Sequence, residues 1–139
     1  MNRKDSYIVI YTHRLANQLD RITSGIVRAH GLTLPQFGVL EALYTKGSLP
    51  IGKVKDLVLS SDGTIPLIVR NLEKAGYITN EPDPGDGRRK ILSLTDVGRA
   101  VIEPAVKENE HALSQCLADW SPEEKTQLVK LLSKHSVGA

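Results

Sequence analysis

Cysteine is nearly absent from this chain of 139 residues. The single Cys116 excludes an internal disulfide and fits a reducing compartment. Aromatic residues are scarce as well: one Trp, one Phe and four Tyr. That is too few for a single-strand binder built on stacked aromatic platforms. No apolar run approaches the roughly 20 residues of a membrane span. The opening Met1-Asn2-Arg3-Lys4-Asp5 leads into an amphipathic stretch rather than a signal-peptide core. The expected location is the cytoplasm, with no membrane partner. A dominant charge is missing too. The net charge is +2, and residues 50–99 carry 8 basic against 7 acidic groups. Bulk charge therefore says little about polyanion binding, and any such case rests on where the cations sit.

Catalytic patterns are lacking. There is no phosphate loop, no pair of carboxylates in a recognisable catalytic setting and no Cys/His pair with meaningful spacing, so no enzyme is expected. The four histidines, His13, His30, His111 and His135, are scattered. Glu108 and His111 share a helix face three residues apart, which is a poor start for a metal site. No metal and no cofactor are expected.

What is present fits one domain large enough for a real core. Ile8, Tyr11, Leu15, Leu19, Ile22 and Ile26 step by three and four residues, which predicts a long helix from about Ser6 to Ala29. Gly31 stops it, and Thr33-Leu34-Pro35-Gln36 reads as a capping box opening a second helix. Ser48-Leu49-Pro50 reads as an extended link. A brief helix over Lys53 to Leu59 would turn Val54, Leu57 and Val58 inward. Ser60-Ser61-Asp62 supplies a turn and an N-cap for a helix from about Gly63 to Ala75. Its buried stripe is Ile65, Ile68, Val69 and Leu72, and Gly76 ends it. Tyr77 to Glu81 and Lys90 to Leu94 read as strands joined by a Pro/Gly/Asp-rich loop. Thr95 caps a further long helix, which Pro104 should bend. Its stripe continues through Leu113, Cys116, Leu117 and Trp120. Ser121-Pro122-Glu123-Glu124 is a second capping box, opening a last helix with Leu128, Leu131 and Leu132.

Three short helices followed by a hairpin form a winged helix-turn-helix. The predicted fold is mainly α: a winged core over residues 33–98, with dimerisation helices at 1–32 and 99–139. The helix over 63–75 is the recognition candidate. Counting 100° per residue, its outer side presents Gly63, Leu67, Arg70 and Lys74, flanked by Thr64, Pro66 and Asn71. Leu67 suits a thymine methyl in a major groove, and Thr64 a base edge or a phosphate. Lys74 suits a phosphate, and Arg70 a phosphate or a guanine edge. The hairpin then carries Arg88, Arg89 and Lys90 at its tip. Asp86 beside Arg88 is expected to hold that guanidinium extended for a narrow minor groove, with Arg89 and Lys90 adding backbone contacts. A surface helix with one exposed leucine and a solvated turn is the bland reading of the same residues. A capped helix followed by a basic wing favours DNA.

The chain resembles the MarR family of bacterial winged-helix regulators over essentially its full length. The matching stretches are Gly31-Leu32-Thr33-Leu34-Pro35-Gln36-Phe37, Asp62-Gly63-Thr64, Asn71-Leu72-Glu73-Lys74-Ala75-Gly76-Tyr77-Ile78, the wing from Asp83 to Arg89, and Leu94-Thr95-Asp96-Val97-Gly98. The resemblance implies an obligate homodimer with intertwined terminal helices, a pseudo-palindromic operator in double-stranded DNA, and release by a small ligand or an oxidant. By the family's motif Asp86 and Arg88 match the wing pair, and Thr64, Pro66 and Leu67 fall where the recognition helix meets bases. The family usually has a small polar residue where Pro66 stands. A dimer has separate support: apolar stripes on the first helix and the last two flank the winged core, and a twofold partner would bury more of them.

The resemblance also implies a small-molecule pocket between the dimer helices and the winged core. Tyr11, His13 and Arg14 are the candidates for a phenolic or anionic effector. Oxidant sensing is not expected, because Ile8, Val9 and Ile10 stand where some branches place a cysteine, and Cys116 reads as a structural thiol on an apolar stripe. The expected function is a homodimeric transcriptional regulator, a repressor released by its effector. The alternative is a winged module for protein partners without DNA.

Overall fold

The computed structural model describes residues 3–58 and 64–135. The elements run α1 (Arg3–Ala29), α2 (Leu34–Lys46), β1 (Leu49–Pro50), α3 (Ile51–Leu57), α4 (Ile65–Lys74), β2 (Ile78–Asp83), β3 (Asp86–Leu94), α5 (Asp96–Cys116) and α6 (Pro122–Leu132), then a 3-10 turn over Ser133–His135. The architecture is mainly helical with a small antiparallel sheet in the order β1-β3-β2.

Local chemistry sets most boundaries. The Thr33 hydroxyl accepts from the Gln36 backbone N–H at 3.3 Å, and the Thr33 N–H donates to Gln36 Oε1 at 3.0 Å. Two of the donors that a helix start leaves unpaired are thus satisfied reciprocally. Ser121 and Glu124 repeat the arrangement at α6, at 3.1 and 2.8 Å. Pro66 sits in the first turn of α4, where a missing N–H does no harm and the fixed φ favours helix. Helix α5 continues past Pro104.

Several elements depart from the sequence expectation. Helix α1 begins at Arg3, not Ser6. The extended link contributes a strand, β1, with Leu49 opposite Leu92 and Pro50 opposite Ile91. Helix α3 starts at Ile51. It buries Val54, half-buries Val58 and leaves Leu57 50% exposed, so Leu57 does not point inward as expected. Leu59, the Ser60-Ser61-Asp62 cap and Gly63 lie outside the described residues. The strands extend into the predicted loop, reaching Asp83 and Asp86, and only Pro84-Gly85 forms the turn. The Asp83 carboxylate tightens that turn by accepting the Gly85 N–H at 2.9 Å.

The core joins the winged unit to α5. Leu40 and Leu43 of α2, Val54 of α3, Ile65 and Leu72 of α4, Leu92 of β3 and Ile102 of α5 are all fully buried in one cluster. Ile65, Val69 and Leu72 are the buried side of α4 and Ile68 is half-buried, as the stripe predicts. Gly76 ends this helix at φ +79°, a left-handed conformation that costs glycine nothing.

The start of α5 is clasped to the end of α4. The Thr95 N–H donates to the Tyr77 carbonyl at 3.0 Å, its hydroxyl donates to the Gly76 carbonyl at 2.6 Å, and the same oxygen caps Gly98 N–H at 3.0 Å. A Cβ on Gly98 would collide with the Tyr77 carbonyl, and the Thr95 bond fixes that carbonyl in place. Gly98→Ala should therefore lose about 1–3 kcal/mol of stability, the usual range for overpacking against a group that cannot move aside. The check is a urea midpoint shift at constant slope; an unchanged midpoint would mean that the clasp yields freely.

Outside the core lies a large apolar surface. Helix α1 has 27 residues, about 40 Å at 1.5 Å each. Its second half packs on α5, with Leu15, Leu19, Ile22 and Ile26 half-buried and Val27 buried. Its first half stands clear: Tyr7, Ile8, Val9, Ile10 and Tyr11 are all exposed in the single chain, Ile8 at 62%. Val129, Leu131 and Leu132 of α6 are exposed as well, Val129 at 68%. No helix among the described residues is long and apolar enough to cross a membrane.

Candidate nucleic-acid interface

Helix α4 presents to solvent the face that the periodicity predicts. Thr64, Pro66, Leu67, Arg70, Asn71 and Lys74 are exposed, Leu67 at 55%. Thr64 stands at the N-cap, its carbonyl accepting the Ile68 N–H at 3.0 Å. The helix is short and held through its inner face, so the outer side chains project from a rigid platform. The wing attaches at its C-terminal end, where Asn80 of β2 donates to Glu73 at 3.4 Å.

Asp86, Arg88, Arg89 and Lys90 are all exposed on β3. The expected contact between Asp86 and the Arg88 guanidinium is not the one observed. Asp86 Oδ1 accepts the backbone N–H of Arg88 at 3.1 Å. The carboxylate thus shapes the backbone at the tip, because a short acidic side chain readily bonds an N–H two residues on, and the Arg88 side chain is exposed. Arg89 has the nearest acidic partner, its Nε 3.9 Å from Asp83, a long exposed pair of little energy. Among the described residues Arg70, Lys74, Arg88 and Lys90 have no ion-pair partner. Their charges are available to an external anion.

Sequence reasoning missed Lys53. Pairing of β1 with β3 brings the start of α3 against the wing, so that Pro50 to Lys53 and Asp56 line a groove with Arg88, Arg89 and Lys90. Lys53 thereby joins the wing cations. Nothing local announces this, since the two-residue strand that causes it pairs across about 40 positions of sequence.

A second concave site is a cleft of about 420 Å³ between α1, α2, α3 and α5. Phe37, Leu57, Val58 and Leu113 give it apolar walls; Asp20, Thr23, Glu41, Lys46 and Asn109 supply polar groups. Tyr11, His13 and Arg14 do not line it. They stand on the exposed first half of α1, where Tyr11 stacks on Tyr7 with ring centres 6.2 Å apart and Arg14 lies 5.9 Å from the Tyr11 ring. The cleft residues carry a sequence signal that was passed over. Asn109 sits on the stripe of Ile102, Val106 and Leu113, and Glu41 stands between Leu40 and Ala42; polar residues at such positions need a reason.

Burial, and then the charge of Glu110, raise the Glu41 pKa above its ordinary 4.5. A raised acid binds its proton better folded than unfolded, so its contribution is full below about pH 4.5 and is lost as pH rises through the folded value. Glu41→Gln should therefore gain in melting temperature over the parent as the pH is raised from 4.5 to neutrality. Parallel melting curves at several pH values check this; a constant difference would mean that Glu41 titrates as it does in the unfolded chain.

Polar bonds tie α5 to the rest. Thr23 of α1 donates to Asn109 at 2.8 Å, and His30 lies 2.7 Å from Glu108. Glu108 thus pairs with His30. Tyr44 of α2 donates to Glu103 at 2.9 Å. That bond, with burial and the Glu103 charge, raises the phenol pKa; Arg99, 5.5 Å from the ring, opposes it. Cys116 is half-buried at the end of α5. No group of three or more metal-ligating side chains is gathered among the described residues.

These features have counterparts in known proteins. The MarR family profile matches residues 32–90. An HTH-type transcriptional regulator of Bacillus cereus is 30% identical over 134 residues, spanning 96% of this chain and 89% of its own. BpsR of Bordetella bronchiseptica, whose DNA binding is regulated by 6-hydroxynicotinic acid, superposes with a TM-score of 0.80 at 25% identity, covering 95% of this chain and 94% of that one. A mutant MarR from E. coli complexed with operator DNA shares the fold, with a TM-score of 0.79 at 20% identity and 95% coverage of each chain. The winged helix-turn-helix, its match to the family profile and the near full-length similarity agree: the chain belongs to the MarR family of HTH-type transcriptional regulators.

Proposed function

We propose that the chain acts as a homodimer that binds a pseudo-palindromic operator in double-stranded DNA, represses by occupying it and lets go when a small aromatic effector binds. The observation that carries this is an exposed Leu67 together with Arg70, Lys74, Arg88 and Lys90, cations without an ion-pair partner among the described residues, on α4 and on the wing. Residues 33–98 form the DNA-binding unit; residues 1–32 and 99–139 form the dimer, burying the apolar surfaces of α1 and α6. A twofold axis then sets two recognition helices about one DNA turn, ~34 Å, apart.

Leu67 contacts a thymine methyl, Thr64 a base edge or phosphate, and Arg70 and Lys74 phosphates. Pro66 starts the helix and brings only its ring to the groove. Arg88 enters the minor groove beside a tip shaped by Asp86, while Arg89, Lys90 and Lys53 hold the backbone. The effector occupies the cleft between the dimer helices and the winged core. The regulation of BpsR by 6-hydroxynicotinic acid supports an aromatic ligand. Tyr11, His13 and Arg14, the expected sites for a phenolic or anionic ligand, then belong to the dimer surface. Polar bonds from α5 to α1 and α2 carry a change in the cleft to the spacing of the recognition helices.

Duplex binding followed by fluorescence anisotropy in rising salt tests this, since each phosphate neutralised releases counterions. A steep fall in affinity is expected, and salt-insensitive binding would argue against it. Leu67→Ala should reduce discrimination between operator and unrelated duplex by about 1 kcal/mol or more while leaving non-specific affinity nearly intact. Equal loss on both would remove the methyl contact.

A further inference from the structure

We propose that the cleft selects an aromatic cation, a flat apolar ring carrying N–H donors on a positive group, and discriminates against anions. This rests on the reading of the cleft as the effector site and specifies its chemistry. It departs from the phenolic or anionic ligand that Tyr11, His13 and Arg14 suggested.

Three observations combine. First, the cleft has the size and the apolar walls of a small-molecule site, about 420 Å³ between Phe37, Leu57, Val58 and Leu113. Second, Glu41 lines it half-buried, and its carboxylate has no hydrogen-bond or ion-pair partner among the described residues. Asp20 adds a second carboxylate from α1. Third, Asn109 is 5% exposed and lines the same space. Its Oδ1 is occupied by the Thr23 hydroxyl at 2.8 Å, which leaves its amide nitrogen as a donor without a partner among the described residues.

The need that a ligand can meet here is therefore a counter-ion for Glu41, while the Asn109 amide nitrogen, which is not a buried unpaired atom, stays open to the cleft. A half-buried carboxylate without a counter-charge gains from a ligand that supplies one in charge-assisted hydrogen bonds. Burial, and then the charge of Glu110, raise the Glu41 pKa, so the surroundings of this carboxylate are short of positive charge. Lys46 is the one cation among the described lining residues. It is exposed at the rim, where a long stem keeps the ammonium in water. An anion in the cleft would face Glu41 and Asp20 with only that solvated charge to offset them.

Benzamidine and benzoate share a ring and a shape and differ in the sign of the charge. Isothermal titration of the full chain without DNA at neutral pH should show benzamidine binding, with benzoate weaker by about tenfold or more. Glu41→Gln should weaken benzamidine by about tenfold; the variant's own melting curve shows that it is folded. Asn109→Asp, which adds a carboxylate but removes the amide donor, should move the preference further from benzoate. Benzoate binding as well as benzamidine, benzamidine affinity unchanged in Glu41→Gln, or no binding of either at millimolar concentration would each overturn the proposal. Operator binding without ligand is measured separately. An intact operator complex with no benzamidine binding sinks this inference alone; benzamidine binding that leaves the complex undisturbed supports the cleft chemistry and counts against the effector role.

Discussion

The double variant Ile8→Asp, Leu131→Asp should be monomeric and should lose about 10²–10⁴ in operator affinity, the gain that linking two binding modules gives. Both side chains are exposed in the single chain, at 62% and 56%, so the protomer has no reason to unfold. Between two copies, however, each aspartate would bury a charge in an apolar surface without a partner. Helix α1 is apolar all round from Tyr7 to Tyr11, a pattern that belongs to a covered helix and not to a solvated one. Light scattering after size exclusion reads the mass, and anisotropy reads the affinity. A dimer that persists would place the interface elsewhere, and a monomer that binds the operator as tightly as the parent would show that operator binding does not need the dimer.

Arg88→Ala should weaken operator binding by about 1–3 kcal/mol, and Lys53→Ala should weaken all sequences alike while reducing the salt slope by about 1. The distinction follows from position. Arg88 stands near the turn of a hairpin whose Pro84-Gly85 tip is tightened by Asp83 and whose Arg88 N–H is held by Asp86. Its side chain is exposed and has no ion pair among the described residues, which on the proposed reading frees it for a narrow groove whose width depends on sequence. Lys53 lies in the groove at the base of the wing, away from the recognition helix, and its compact ammonium suits a phosphate as a point charge. Anisotropy on operator and unrelated duplex at two salt concentrations separates the two roles. Equal affinity of Arg88→Ala and the parent would remove the wing tip from the interface.

Features with local causes were legible in the sequence. Both capping boxes form as written, because each needs only residues three apart. The faces of α4 follow from helical periodicity and one strong apolar stripe. The Leu94-Thr95-Asp96-Val97-Gly98 exit was recognised as a pattern, but its reason, the Tyr77 carbonyl against Gly98, appears only in the fold. Long-range causes were hidden. Strand β1 exists because Leu92 and Ile91 lie beside Leu49 and Pro50, and it alone brings Lys53 to the wing. The polar run Asp86 to Arg89 has weak strand propensity, yet it extends β3 because β2 lies alongside. The Asp86–Arg88 relation was legible in residues and not in atoms: proximity in sequence favoured the backbone N–H over the flexible guanidinium. The cleft depends on Glu41 and Asn109, which meet only when α2 packs on α5.

Selection of bound duplexes from a random pool by the full-length protein tests the central claim most directly. A homodimer reading DNA through α4 and the wing should enrich an inverted repeat with half-site centres about one helical turn apart, and the double variant Ile8→Asp, Leu131→Asp should lose that enrichment. A pool that stays random after repeated rounds with the parent protein, or one that yields only unpaired half-sites, would contradict the account.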